Sequence, residues 1–520
     1  MNGASAPGST SRHLVPAALA AAALFLVLGW NDGHYWDEFF YLYSSFRHAP
    51  AELVRYELRT ALFPVGFFSE KLGHIVLLHL VTGLLGGSER TLYAIQALYA
   101  LLLLGSFAAA YGLLRDLLGE REARDGTLAL MFSPLALYFA FKTLSEVPSL
   151  LLITLSSWAF VRAFLTLSAA ARRALLALSA VALAGGALCR VTSVIGFVAL
   201  GVALLVAGDE RFDRRRVLFA LIGVGIAGAL LQALGVGLAG GSTLRVFGHA
   251  RDVVASHRLM QRVYALGCFV QLFLLALPFA WRLRRERGIA LIAVWLLVAA
   301  LPFAAGHEPR YYAPAIVPFG VLAGLGIREA AGRMPGPRRT YAWVVLLLVL
   351  VLVNRLVFRP LMPYEVEQAQ LLALFDRQDA RTPGGTRLIP WISDYCLLRF
   401  THPASPIALC LSNEPGMRLS HPGEAVRLNA ADRWWAEPDH YVGDRAALTA
   451  RPKPWIYLGW EYSPPALRLQ RLLQRTGLGA GAGPTLHNHL AGSWIWSDST
   501  ITRTPIDSQA QYRAFELGPR

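Results

Sequence analysis

Apolar residues in this chain come in blocks of about 17 to 25, the length a helix needs to cross a hydrocarbon core of about 30 Å. The blocks are separated by short polar stretches rich in arginine. The pattern predicts eleven spanning helices, at about 14–30, 91–114, 126–141, 147–167, 174–189, 191–207, 217–239, 262–281, 289–305, 312–327 and 341–357. An aromatic run rather than a small-residue cleavage site follows the first block, so it reads as a retained helix and not a signal peptide. Residues 31–90 are too many for a simple connection. Their apolar runs, Thr60 to Phe68 and His74 to Leu85, are interrupted by Glu70 and Lys71, which predicts helices lying in the membrane interface. A twelfth span at 72–88 would invert every later loop and put the basic ones outside. After the last span, residues 358–520 are richer in Pro, Trp and polar residues, with strand-like stretches Pro454 to Gly459 and Gly492 to Ser497. The expected architecture is a polytopic α-helical membrane domain over 1–357, with a large first outer loop, followed by an α/β extracytoplasmic domain over 358–520.

Composition agrees with that reading: 55% of residues are apolar and 16% charged, against roughly 25% charged in soluble domains. Basic residues are retained on the cytoplasmic side. With the N-terminus inside, alternate loops collect 17 arginines, at Arg115, Arg121, Arg124, Arg172, Arg173, Arg211, Arg214 to Arg216, Arg282, Arg284, Arg285, Arg287, Arg328, Arg333, Arg338 and Arg339. The short loops of the other side hold only Lys142, Arg190, Arg245, Arg251, Arg258 and Arg310. The net charge of +15 is therefore a matter of topology and anionic lipid, not a nucleic-acid surface. There is no glycine-rich phosphate loop and no zinc-ligand spacing. Arginine far outnumbering lysine, with abundant Ala and Leu, is the composition of a high-GC bacterial genome, and so places the chain in a bacterial inner membrane. Cys396 and Cys410 are the cysteines of the outer domain, and in an oxidising compartment they are candidates for a disulfide.

Mapped onto this topology, the ionisable residues next to spans gather at one edge. Asp37 and Glu38, Lys142 and Glu146, Arg190, His249 to Asp252, and His307 to Arg310 all fall at the outer ends of helices. Singly, each resembles an interfacial anchor or a helix cap, and Tyr35, Trp36, Tyr311 and Tyr312 read as interface-belt aromatics. Together they bring both signs of charge to one layer of the membrane, where charge is costly and usually functional. A carboxylate there can act as general base on an acceptor hydroxyl. Arg and His donors can neutralise the charge growing on a departing phosphate. A substrate carried on a lipid phosphate presents its headgroup at that depth, and the combination describes sugar transfer from a polyprenyl-phosphate donor.

The same residues resemble the C-type glycosyltransferase superfamily, most closely the family 22 α-mannosyltransferases. Members carry His-Pro-Asp-Glu at the start of the first outer loop, matched by His34, Asp37 and Glu38. A Tyr/Trp-Glu segment, then Arg-Ser before an aromatic-Pro pair, is matched by Tyr56, Glu57, Arg59, Thr60, Phe63 and Pro64. An Arg-Pro-Thr at a helix start is matched by Arg190, Val191 and Thr192. A His-Lys-Glu-x-Arg-Phe motif before a Pro-rich helix is matched by His307, Glu308, Arg310 and Tyr311, with Pro314 and Pro318 following. The order holds from about 34 to 318. Proline before Asp37 and the lysine after His307 are absent, and residues beyond 358 match nothing in the family.

The resemblance implies direct displacement at the anomeric carbon with inversion, mannose being the first donor and aminoarabinose, a pentose or glucose suiting the same site. Asp37 is then the general base, with Glu38 beside it. His307 and Arg310 hold the donor phosphate, with Arg190 and Lys142 as helpers. His34, Glu57, Arg59, Glu146 and Glu308 serve the acceptor or support the site. A retaining route would use Glu38 or Glu146 as nucleophile. No cofactor is implied. Asp37 and Glu38 diverge whether helical or extended and so do not chelate one metal together, although a divalent ion bridging a carboxylate and the phosphate stays open. The partners implied are the lipid-linked sugar donor, membrane lipid, and an acceptor that is a lipid-linked glycan, a polymer or a protein. The rivals are a carrier or flippase of lipid-linked sugars, which would show internal repeats and midplane polar groups, and an inactive assembly partner. The topology makes a direct prediction. A cysteine introduced by Ser242→Cys is labelled by an impermeant thiol reagent from outside and one introduced by Gly336→Cys is protected; the reverse pattern overturns the orientation.

Overall fold

The computed structural model describes residues 11–30, 33–34, 36–59, 68–243, 259–286, 288–300, 309–333, 339–358, 366–410, 442–443, 445–460 and 494–519. Helix α1 (Ser11–Gly29) leads through a two-residue strand β1 (Gly33–His34) into α2 (Trp36–Arg47), α3 (Pro50–Arg59) and α4 (Leu72–Leu85). Then come α5 (Glu89–Leu118), α6 (Glu120–Met131), α7 (Pro134–Phe139), α8 (Glu146–Leu165), α9 (Ala169–Cys189), α10 (Val194–Ala207) and α11 (Arg214–Leu238). The later helices are α12 (Leu259–Val270), α13 (Ile289–Ala300), α14 (Ile316–Ala331) and α15 (Arg339–Val353). Among the described residues six helices are long and apolar enough to cross a membrane: Glu89–Leu118, Glu146–Leu165, Ala169–Cys189, Arg214–Leu238, Ala265–Leu283 and Pro309–Ala331. The protein is a polytopic helical membrane protein.

What marks these helices as membrane helices is where their apolar side chains point. On α11, Leu218, Ile222, Ile226, Leu230, Leu234 and Leu238 recur every four residues and are between 43% and 80% exposed. A stripe of that length facing water would drive aggregation; facing lipid it costs nothing. Polar side chains set where the helices begin. Ser88, Ser168 and Asp213 accept hydrogen bonds from the first-turn N–H groups of α5, α9 and α11, which would otherwise be unsatisfied. Between α5 and α6 the chain reverses at Gly119, whose φ of 104° suits glycine.

Three expectations are corrected. The segment 126–141, expected as one span, is two helices broken at Ser133, because Pro134 cannot continue α6 and Ser133 instead caps the new helix through Ala136 N–H. The stretch Gly492 to Ser497, expected as a strand from its aromatic and β-branched residues, is a helical turn over Trp494–Ser497. Its carbonyls at Ile495, Trp496 and Asp498 all accept from the Arg503 guanidinium, a tertiary contact that overrides local propensity. Cys396 and Cys410 form no disulfide: both are buried thiols, one on a helix and one beyond a strand, packed into different apolar clusters.

The C-terminal region is an α/β layer. Strand β2 (Val366–Glu367) leads into α16 (Gln368–Arg381), β3 (Thr386–Ile389), α17 (Ile392–Thr401), β4 (Ile407–Leu409), β5 (Trp455–Trp460), β6 (Ile501–Gln509) and β7 (Tyr512–Pro519). The sheet order is β4-β3-β5-β7-β6, parallel over β4, β3 and β5 and antiparallel thereafter. Arg377, Gln378 and Arg381 of α16 all donate to Asp507 on β6, which pins the helix across the sheet. Burial raises the Asp507 pKa, but Arg377, the Ser508 N–H and Arg381 lower it, and it ends below its ordinary value. Several contacts join this layer to the helices: β1 pairs antiparallel with β2, His34 opposite Val366, Tyr43 and Phe46 of α2 pack edge-on against Tyr395 and Phe400 of α17, and Gln96 of α5 donates to Gln368 of α16.

Helices α6 and α14 meet at backbone distance. A Cβ on Gly320 would lie 2.7 Å from Leu130 Cα, and one on Gly324 would lie 2.6 Å from Asp125 O. Two glycines four apart are the small-residue spacing that lets membrane helices approach this closely. Gly324→Val is expected to destabilise the protein by about 1–3 kcal/mol, read as a lower midpoint for heat-induced loss of the monodisperse peak in detergent. Gly237→Ala, where the new Cβ meets open space, leaves the midpoint unchanged or raises it.

Candidate functional site

The first turn of α2 carries Asp37 and Glu38, where a helix N-terminus favours negative charge. Both are buried, at 3% and 0% exposure, yet their surroundings differ. Glu38 Oε2 accepts from Thr143 N–H at 2.8 Å and from Thr143 Oγ1 at 3.3 Å, and lies 3.0 Å from His34 Nδ1. The neighbouring Lys142, fully buried, donates to the carbonyl of Gly33. Glu38 and Lys142 thus tie residues 33–38 to the turn before α8, where Phe141 adopts a φ of 60°. They act as struts.

Asp37 faces a different group of residues. Its Oδ2 accepts from Arg310 Nη1 at 2.6 Å and lies 3.9 Å from Lys71 Nζ. Its Oδ1 is buried and makes no hydrogen bond among the described residues. Arg310 lies 273 positions further along, at the start of the 3-10 segment Pro309–Ala315 that leads into α14. Its Nε is 3.8 Å from Glu146 Oε1, and the same oxygen is 2.9 Å from Arg190 Nη1. Tyr311 lies beneath both guanidinium groups, 5.0 Å from Arg190 and 6.0 Å from Arg310. The result is one buried chain of alternating charge: Lys71, Asp37, Arg310, Glu146, Arg190. Its members come from the turn before α4 and from the ends of α2, α14, α8 and α9, so no short stretch of sequence could form it.

Lys71 is the member that sequence reasoning did not assign to the site. Its ammonium donates to Tyr41 Oη at 2.7 Å and lies 4.5 Å from the Tyr41 ring centroid. Burial pulls its pKa below the ordinary value, and Asp37 acts in the opposite direction. The signal for it in the sequence is its position, a Glu-Lys pair interrupting an apolar run, a pattern that equally predicts an interfacial boundary. Glu70 beside it is buried as well. Glu57 accepts from the N–H groups of Phe68 and Ser69 at 2.7 and 3.0 Å, which fixes the turn that carries Lys71 and makes Glu57 a support. His307, Glu308, His249 to Asp252 and Thr60, together with the Arg59 side chain, lie outside the described residues. No group of three or more His, Cys, Asp or Glu side chains that could hold a metal is found among the described residues. Every carboxylate of the charged chain has a cation beside it.

What this arrangement can do follows from its partners. Buried charges of alternating sign stabilise one another and are costly to separate. An incoming phosphate offers Arg310 and Lys71 an equivalent anion, which would release Asp37 from both. The carboxylate would then be left buried and without its cations, with Oδ1 free of a hydrogen-bond donor among the described residues.

No protein-family model matches the chain, and no curated protein matches it in sequence. Among solved structures, ArnT from Cupriavidus metallidurans bound to undecaprenyl phosphate aligns with a TM-score of 0.54 and 14% identity over 98% of this chain and 99% of that one. The apo state of the same protein gives 0.52, again at 14% identity, over 98% and 100%. The archaeal oligosaccharyltransferase AglB from Archaeoglobus fulgidus, in complex with an inhibitory peptide and a dolichol-phosphate, gives 0.47 at 10% identity, over 96% and 88%. At such identity the likeness to ArnT is one of fold, and it extends over 98% of this chain: the protein shares its fold with ArnT.

Proposed function

We propose that the protein is a membrane glycosyltransferase that moves a sugar from a polyprenyl-phosphate donor to an acceptor hydroxyl at the membrane face carrying Asp37. The observation that carries this reading is the Asp37–Arg310 pair. It holds a carboxylate that can accept a proton 2.6 Å from a guanidinium that can meet a phosphate, and both side chains are buried. The fold shared with a protein seen bound to undecaprenyl phosphate supports the choice of a lipid-phosphate donor. The arginine-rich far ends of the helices support placing the site on the extracytoplasmic side.

In the reaction Asp37 takes the proton from the acceptor hydroxyl, whose oxygen bonds to the anomeric carbon. The bond from that carbon to the donor phosphate breaks, and its electron pair leaves on the polyprenyl phosphate. Arg310 and Lys71 meet the charge on that phosphate, while Arg190 holds Glu146 in place as the second carboxylate of the chain. One displacement inverts the configuration, and Glu38, held by Thr143 and His34, is not available as a nucleophile. Mannose and aminoarabinose suit this site equally, and a panel of radiolabelled polyprenyl-phosphate sugars supplied to membranes identifies the one transferred. A carrier without chemistry would move label across the bilayer and form no glycosylated product.

Asp37→Asn is expected to lower sugar transfer by about 10²–10⁴-fold, the usual worth of a positioned general base, while the protein keeps its elution position in detergent; transfer at the wild-type rate sinks the assignment. Arg310→Ala is expected to raise KM for the donor by more than ten-fold and to change KM for the acceptor far less. An unchanged donor KM removes Arg310 from phosphate binding.

A further inference from the structure

At the opposite ends of the site helices, a cleft of about 640 Å³ opens between α8, α9 and α11. Phe164, Leu176, Phe219 and Val224 form its walls, and Arg172, Arg211 and Arg216 stand along it with Asp213. These positively charged groups are not equally engaged. Arg211 is committed to Asp209 at 2.8 Å and to the carbonyls of Asp116 and Leu117 that end α5. Asp213 accepts from the N–H groups of Arg215 and Arg216 as the cap of α11. Arg216 is 71% exposed, its Nε 3.4 Å from Asp213. Arg172 donates from Nη2 to Thr166 O at 3.2 Å, while its Nε is buried and makes no hydrogen bond among the described residues.

The shape of the cleft narrows the choice of ligand. From Arg216 to Ala227 it follows α11 for eleven residue steps, about 16 Å at 1.5 Å per step. That is the depth of one leaflet, half of a hydrocarbon core of about 30 Å. A slot with cations at one end and only apolar side chains below complements a molecule with an anionic head and an apolar tail. A free anion would leave the walls uncovered, a lipid without a phosphate would leave the Arg172 Nε–H unmet, and a zwitterionic one would bring a second cation to the arginines. We infer that this cleft is a binding site for an anionic phospholipid of the leaflet opposite the Asp37 site, its phosphate held by Arg172 and Arg216 and an acyl chain lying along α11. Basic pockets between membrane helices bind lipid headgroups in this way. The site is separate from the charged chain at the other ends of α8 and α9, and it does not depend on the reaction proposed there.

Gly223 supplies a sharp test. It lines the cleft, and a Cβ placed on it meets no atom within 4 Å, so a side chain can start there without a clash and with better helix propensity, and a longer one takes up room in the slot. Native mass spectrometry of the purified protein with added phosphatidylglycerol is expected to show a retained lipid. Arg172→Ala and Arg216→Ala each weaken it about five-fold, from about 1 kcal/mol per basic residue. Gly223→Leu displaces it with every arginine in place. Equal retention of phosphatidylcholine, loss of the signal to millimolar inorganic phosphate, or unchanged binding in Gly223→Leu would each overturn the proposal.

Discussion

The buried contact between Asp37 and Arg310 is the constraint from which the site end of the molecule follows. A carboxylate and a guanidinium withdrawn from water are tolerable only when each has a partner of opposite sign at hydrogen-bond distance. Asp37 takes Arg310 at 2.6 Å, and Arg310 in turn lies 3.8 Å from Glu146, which takes Arg190 at 2.9 Å. To satisfy these charges, the starts of α2 and α8, the end of α9 and the segment before α14 must converge on one layer. Breaking any link strands a charge in a low-dielectric setting, so the geometry of the helix ends and the electrostatics of the site are one requirement.

Around that chain the protein separates what is fixed from what can exchange partners. Glu38 has donors from Thr143 on one side and the His34 ring on the other, Lys142 holds Gly33, and Glu57 holds the backbone at Phe68 and Ser69. These contacts are local braces that keep α2 and the turn before α4 in register. Asp37 differs because one oxygen rests on cations that a phosphate also attracts and the other has no hydrogen bond among the described residues. Two adjacent carboxylates therefore have unequal chemistry, set by what each one faces.

The opposite ends of the same helices obey the membrane. There the arginines cap helix ends and meet acids near the surface, as Arg328 does with Glu122 and Asp125 and Arg162 does with Asp116. Between the two ends, α11 turns a continuous apolar stripe outward, and α6 and α14 close to backbone contact at Gly320 and Gly324. Apolar packing supplies no preference for protein over lipid in this region. Small residues and shape decide which helices touch, and the clefts left between them are natural places for lipid.

Hydropathy is additive along a short window, so the helices were legible wherever an apolar run was long enough, and α5, α8, α9 and α11 lie where the sequence predicts them. Arginine distribution sorted their ends for the same reason, since each loop carries its own count. The gathering of Asp37, Glu146, Arg190 and Arg310 at one edge was visible as a coincidence of position. Which of them pair was not, because pairing depends on distance across 273 positions of chain and on the desolvation cost of being wrong. Nor did the sequence separate the engaged Glu38 from Asp37, place Lys71 beside Asp37, or show that Arg503 would turn Trp494–Ser497 into a helix and that Cys396 and Cys410 would lie in separate cores. The chain by itself determined a membrane bundle with charge at one edge; tertiary structure decided the partners, because a buried charge is defined by its neighbours and those come from distant segments.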